Sequence, residues 1–211
     1  MNISMAYKDL NDIYTKKFKQ SKCIVLGNGT SVKKFKSDDD VFTIGVNDIC
    51  KFVTPNVLFL IDTKKRFEAK NIPNRIYDIE NANPDYIIAK DESWNFKHDN
   101  VYNMNFGAHG NLKNINEKSI IDTGLDSPYM GIQLAYKMGF RRIGILGVDY
   151  TPNHFYADDG HHELVQYDKL KEINNLYKNL THVLSENNCS LFNLNHNSMV
   201  TTIPFIPIEN F

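Results

Sequence analysis

The feature that most constrains this chain is a series of short apolar runs, each ended abruptly by glycine or a polar residue. Residues 23–26 (Cys-Ile-Val-Leu) run into Gly27, residues 41–46 into Asn47-Asp48, and residues 57–61 into Asp62. Residues 86–89 run into Lys90-Asp91, residues 141–146 into Gly147-Val148-Asp149, and residues 190–194 into Asn195-His196-Asn197-Ser198. Runs of four to six apolar residues without strict alternation suit strands buried on both faces. Between several of them lie segments with helical periodicity. Strands alternating with helices predict a single-domain α/β fold, Rossmann-like, with a mostly parallel sheet covered by helices on both faces. In such sheets ligands bind outside the carboxyl ends of the strands. Asn28, Asn47, Asp62, Asp149 and Asn197 all fall there.

The spacing of Leu10, Ile13, Tyr14 and Phe18 predicts a polar helix over about residues 5–19. The expected organisation is therefore an N-terminal helix within residues 1–20, followed by a nucleotide-binding α/β domain over 21–211. A second helix is expected from Ser127 to about Met138, with Pro128 in its first turn, Asp126 or Ser127 as N-cap, and Gly139 just past its end. A long helix follows, with Leu164, Tyr167, Leu170, Ile173, Tyr177, Leu180 and Leu184 as its stripe. Residues 91–123, rich in Asn and scattered aromatics, read as irregular segments and loops, of the kind that can cover a site. Trp94, Phe96, His98, Tyr102, Phe106 and His109 there either line an acceptor pocket or, more commonly for such residues, pack a long loop on the core.

Charge and composition narrow the function. With 24 basic and 25 acidic residues in 211, the net charge of -1 points neither to nucleic acid nor to an acidic tail. No apolar run approaches the roughly 18–20 residues that span a bilayer, and residues 1–20 lack the apolar segment of a signal peptide. A cytoplasmic location is the expectation. The three cysteines, Cys23, Cys50 and Cys189, are widely spaced and suggest neither a disulfide framework nor a zinc site.

Three elements carry candidate chemistry. Gly27, Asn28, Gly29, Thr30 and Ser31 follow a buried strand, where glycine permits a tight turn and close approach of a ligand, and Thr30 and Ser31 can offer N–H groups to a phosphate. An ordinary strand-to-helix turn would look the same, and the third glycine of the dinucleotide fingerprint is missing, as is the lysine of a P-loop. Asn47 can bridge a ribose or sugar hydroxyl, or it or Asp48 can cap the following helix; Asp62 carries the same ambiguity. The segment 149–163 packs His154, His161, His162, Tyr150 and Tyr156 beside Asp149, Asp158, Asp159 and Glu163. It fits a histidine base with tyrosine hydroxyls at a departing phosphate, a metal site of non-standard spacing, or a solvated loop whose acids cap the long helix.

Taken in order, residues 24–31 (Ile-Val-Leu-Gly-Asn-Gly-Thr-Ser), 44–47 (Ile-Gly-Val-Asn), 127–130 (Ser-Pro-Tyr-Met) and 147–150 (Gly-Val-Asp-Tyr) resemble the bacterial sialyltransferases of glycosyltransferase family 42. They also resemble a wider relative, the archaeal 6-hydroxymethylpterin diphosphokinase-like proteins. The first resemblance implies a nucleotide-sugar-dependent glycosyltransferase with inverting, metal-independent chemistry. It places a donor, such as a CMP-linked sugar, on Gly27, Asn28, Gly29, Ser31 and Asn47, with Ser127 at phosphate or ribose. It also implies Tyr156 or Tyr150 at the leaving phosphate, Thr151 standing where the family has its first tyrosine, and His161 or His162 as base to a hydroxyl-bearing acceptor. No resident cofactor or metal is expected under that reading, and a homo-oligomer is possible, with the aromatic 94–109 region as one interface. Gly124 stands where the sialyltransferases have an arginine, so the donor sugar need not be sialic acid. The second resemblance implies a Mg²⁺-dependent diphosphokinase using Asp62, Asp149, Asp158 and Asp159; a domain that binds a nucleotide without catalysis is the third alternative.

Overall fold

The computed structural model describes residues 7–70, 72–90, 92–156 and 166–211. In chain order the strands are β1 (Lys8–Asp9), β2 (Lys22–Leu26), β3 (Val41–Val46), β4 (Val57–Leu60), β5 (Tyr86–Ala89), β6 (Val101–Asn103), β7 (Asn105–Gly107), β8 (Ile120–Asp122), β9 (Arg142–Leu146) and β10 (Ser190–Asn193). The helices are α1 (Asn11–Tyr14), α2 (Lys64–Glu68), α3 (Arg75–Glu80), α4 (Ser127–Lys137) and α5 (Tyr167–Glu186). Eight strands form one sheet in the order β1-β6-β5-β4-β3-β2-β9-β10, with every pairing parallel.

All six apolar runs became strands of that sheet, because each is apolar on both faces. Along β2, Cys23 and Val25 face one hydrophobic cluster while Ile24 and Leu26 face the other. α1, α4 and α5 cover the first face; α2, α3, the 3-10 turns at Thr30–Lys34 and Asn47–Lys51, and Phe211 cover the second. Fully burying one such aliphatic side chain is worth about 1.5–3 kcal/mol, so a one-residue register slip, which only exchanges faces, gains nothing here.

α4 begins at Asp126, whose carboxylate accepts from the Tyr129 N–H at 2.7 Å. It ends before Gly139, which adopts φ +99°. α4 also organises what precedes it. The buried Gln133 amide donates to the Asp122 carbonyl (2.8 Å) and accepts from the Asp122 N–H (3.0 Å), pinning β8. Lys137 donates to the carbonyls of Asn114, Ile115 and Glu117 at 2.6–2.9 Å, and burial pulls its pKa down to about 8.

Three expectations need correction. The helix expected over 5–19 is, among the described residues, a two-residue strand followed by the single turn α1; Lys8 and Asp9 pair with β6 instead. Residues 91–123, read as irregular, contain β6, β7 and β8, each three residues long and too short to show a period. The stripe of the long helix begins later than expected: Tyr167 is 82% exposed, and the buried members are Ile173, Tyr177, Leu180 and Leu184.

Candidate functional site

The chain leaves β2 in one direction along the sheet, through β3, β4, β5 and β6, and returns on the other side of β2 as β9. The loops after β2 and β9 therefore diverge at a topological switch point, where open α/β sheets bind ligands. A cleft of about 520 Å³ lies there. It is lined by Asn28, Gly29, Asn47, Asp126 and Ser127, by the loop after β9, which lies on one side of β2 in the sheet order, and by α2–α3, which follow β4 on the other.

Two glycines close the switch point. Gly27 donates to the Leu146 carbonyl at 2.8 Å and Gly29 to the Gly147 carbonyl at 2.7 Å. A Cβ on Gly27 would stand 2.4 Å from the Gly147 oxygen, and one on Gly147, at φ +73°, 2.4 Å from the Gly27 oxygen. The two turns can touch only because neither has a side chain.

Asp149 locks this arrangement from beneath. Its buried carboxylate accepts from the Ser31 N–H (2.7 Å), the Ser31 hydroxyl (2.5 Å) and the Asn195 amide (2.9 Å). The Ser31 hydroxyl in turn accepts from the Gly147 N–H at 2.9 Å. The N–H of Ser31, expected to face a phosphate, is thus spent on Asp149. Neither Gly27, Thr30 nor Ser31 lines the cleft, and these three residues shape the loop that presents Asn28 and Gly29.

Asn47 does not cap the turn it opens; no side-chain cap bond forms there. It takes φ +53°, tolerated by asparagine better than by most residues, and its amide nitrogen lies 3.3 Å from the Ser127 hydroxyl across the cleft. The Oδ1 atoms of Asn28 and Asn47 and the hydroxyl of Thr151 are buried in this cleft with no hydrogen-bond partner among the described residues. Leaving a buried polar atom unmatched costs about 1–3 kcal/mol, so three in one cleft mark where a polar ligand belongs.

The loop after β9 folds back over the glycine loop. His154 bridges Gly29 in antiparallel fashion, and the Phe155 N–H donates to the Asn28 carbonyl at 2.9 Å. The rings of His154 and Tyr156 stack 5.1 Å apart, and both residues line the cleft. Tyr150, at φ +53°, donates its hydroxyl to Asp126, which also accepts from the buried Tyr177 hydroxyl at 2.9 Å. Burial pushes the Asp126 carboxyl up, an effect opposed by these donors, and pushes both tyrosines well above their usual range. Sequence reading saw Asp126 only as a cap. Its link to Tyr177, 51 positions away, has no local signal.

Asp62 also lines the cleft but is paired with Arg66 at 2.8 Å. Asp48, beside Asn47, is fully buried against Arg75. His161, His162, Asp158, Asp159 and Glu163 lie outside the described residues. Among those described, no group of three or more His, Cys, Asp or Glu side chains is placed to hold a metal ion, and no helix is long and apolar enough to cross a membrane. Trp94, Phe96 and Tyr102 are buried, with Trp94 stacked on Phe96, and none of the 94–109 aromatics lines the cleft. Those three side chains pack the loop on the core, while His98 and Phe106 are half-buried and His109 is exposed.

Fold and cleft define a Rossmann-like α/β domain with a cleft at the switch point. A scan against protein-family models found no match, and neither did a search of curated proteins. Among solved structures, the chain is similar in fold to the sialyltransferase CST-II in complex with a trisaccharide acceptor and CMP (TM-score 0.53, 14% identity, 90% of this chain and 88% of that one). It is similar also to CstII from Campylobacter jejuni with cytidine-5'-monophosphate (TM-score 0.52, 14% identity, 91% and 87%). The monofunctional alpha-2,3-sialyltransferase Cst-I from Campylobacter jejuni gives 0.52 at 13% identity, over 90% and 82%. These similarities lend no support to the pterin diphosphokinase-like relationship.

Proposed function

We propose that this protein is a glycosyltransferase that uses a nucleotide-linked sugar, of the CMP class, as donor. The observation that carries the reading is the set of unmatched buried oxygens of Asn28, Asn47 and Thr151 around one cleft at the switch point. The solved proteins of the same fold, two of them with CMP bound, support the choice of nucleotide. Asn28 and Asn47 would accept from ribose or base N–H and O–H groups. Thr151, with His154 and Tyr156 beside it, would receive the phosphate.

The transfer is a single displacement with inversion. A histidine, His161 or His162, takes the proton of the acceptor hydroxyl as its oxygen attacks the anomeric carbon. The bond from that carbon to the phosphate oxygen breaks, and its electron pair leaves on the nucleotide monophosphate. Hydroxyl and backbone N–H donors around the cleft end stabilise that charge, so no metal ion is required. A magnesium-dependent phosphotransfer is less well served: both oxygens of Asp149 already accept hydrogen bonds, and Asp62 is paired with Arg66.

Three experiments test this. At 100 times its dissociation constant in EDTA, CMP should stabilise the protein by about 2.7 kcal/mol, a shift of several degrees in a domain of this size. Asn47→Gly, which keeps the left-handed backbone unstrained, should weaken CMP about tenfold to a hundredfold. No shift with CMP would remove the proposed donor. His161→Ala with His162→Ala should cut turnover by roughly 10²- to 10⁴-fold while leaving CMP affinity near its original value; retained turnover would end the histidine-base mechanism.

A further inference from the structure

The α2–α3 end of the cleft holds a cationic group that donor binding leaves unused. Arg75 is only 6% exposed. Its Nε and Nη2 each donate at 2.6 Å to one oxygen of Asp48, and its guanidinium carbon lies 4.1 Å from the centroid of the Phe67 ring. The carboxylate and the ring hold the guanidinium plane in place. Nη1, with two N–H donors, is buried and has no partner among the described residues, and Arg75 lines the cleft. A donor fixed this way loses little freedom when a ligand arrives.

The charge around it is positive on balance. Arg66, Lys70 and Arg75 line this end, while the acids are Asp62, paired with Arg66, and Asp48, paired with Arg75. Three cations against two carboxylates leave one positive charge, that of Lys70, on the exposed lip. β4, which leads into α2, is two strands from β2 in the sheet, about 10 Å at ordinary strand spacing. The nucleotide's own phosphate is assigned to the opposite end, at Thr151, His154 and Tyr156.

We propose that Arg75 and Lys70 form a subsite for an anionic group, a carboxylate or a phosphate, on the acceptor. The inference rests on the donor reading, and the test separates the two. Protein saturated with CMP would be titrated with galactose 6-phosphate, with galacturonate and with galactose, while the Arg75 Nε–H resonance is followed by ¹⁵N NMR. The charged sugars should bind saturably and at least tenfold more tightly than galactose, shifting that resonance. Lys70→Gln should weaken them severalfold without changing CMP affinity. Equal affinity for charged and neutral sugars, or an unmoved Arg75 signal, would overturn the subsite although CMP still binds. Tighter binding of CMP-N-acetylneuraminic acid than of CMP, lost in Lys70→Gln, would place the donor's own carboxylate there and overturn the acceptor assignment. Failure of CMP itself to bind would take down the donor reading and this inference with it.

Discussion

Gly147→Ala should destabilise the protein by about 2–5 kcal/mol and abolish nucleotide binding in whatever folded fraction remains. Two costs combine. A Cβ at φ +73° meets the left-handed penalty of roughly 1–2 kcal/mol. It would also stand 2.4 Å from the Gly27 oxygen and 2.9 Å from Val32 Cβ, and overpacking of this kind adds about 1–3 kcal/mol. The backbone has little room to relax, because Gly29 donates to the Gly147 carbonyl and the Gly147 N–H is held by Ser31. In a domain of this size the melting temperature should fall by roughly 4–20 °C. Gly139→Ala is the control. It has φ +99° with nothing within 4 Å of the added Cβ, so it should cost about 1–2 kcal/mol and leave CMP affinity unchanged. Equal melting temperatures for the two variants would contradict the close approach of the β2 and β9 turns.

Asp126→Ala is the second large effect, with an expected loss of about 3–4 kcal/mol in denaturant unfolding. The cap on α4 goes, worth about 1 kcal/mol. The hydroxyls of Tyr150 and Tyr177 lose their common acceptor, and each buried orphan costs about 1–3 kcal/mol. Relief of the carboxylate's own desolvation offsets part of this. Asp126→Asn keeps an oxygen for Tyr129 N–H and Tyr177, and its amide can donate to Tyr150, so it should cost under about 1 kcal/mol at neutral pH. The pH dependence has a definite sign. Burial raises the Asp126 carboxyl in the folded state, so its contribution is greatest below the unfolded value, about 4, and is lost as pH rises through the raised folded value. Asparagine does not titrate. The Asn variant should therefore gain on the wild type as pH rises from the unfolded carboxyl value, about 4, through the raised folded value, and parallel stability profiles would show that the carboxyl is not raised.

How legible was the site? Asn28, Gly29, Asn47, Asp62, Ser127, Asp149, Tyr150 and Tyr156 all line the cleft, and all but Tyr156, which lies further along the loop after β9, stand at or just beyond a strand end or at the opening of α4. That much follows from local rules, since a parallel sheet sends every strand's carboxyl end to the same side. What each does there was not legible. Asp149 has the position of a ligand contact and the job of a brace. Asp126 has the sequence context of a simple cap, yet it gathers two tyrosines. Arg75 sits in a short polar helix with nothing nearby in the chain to mark it, since its partner Asp48 is 27 residues earlier.

The chain by itself determined the six longest strands, the α4 cap and the side of the sheet on which the cleft opens, because these depend on apolar run length, backbone propensity and the parallel connection. Only the tertiary structure decided which polar groups are spent on one another and which are left open. Hydrogen bonds such as Ser31 to Asp149, 118 residues apart, and Tyr177 to Asp126 form between segments whose meeting is set by strand order. A buried oxygen without a partner, as in Asn28, Asn47 and Thr151, is a property of everything around it. No single stretch of sequence contains that information.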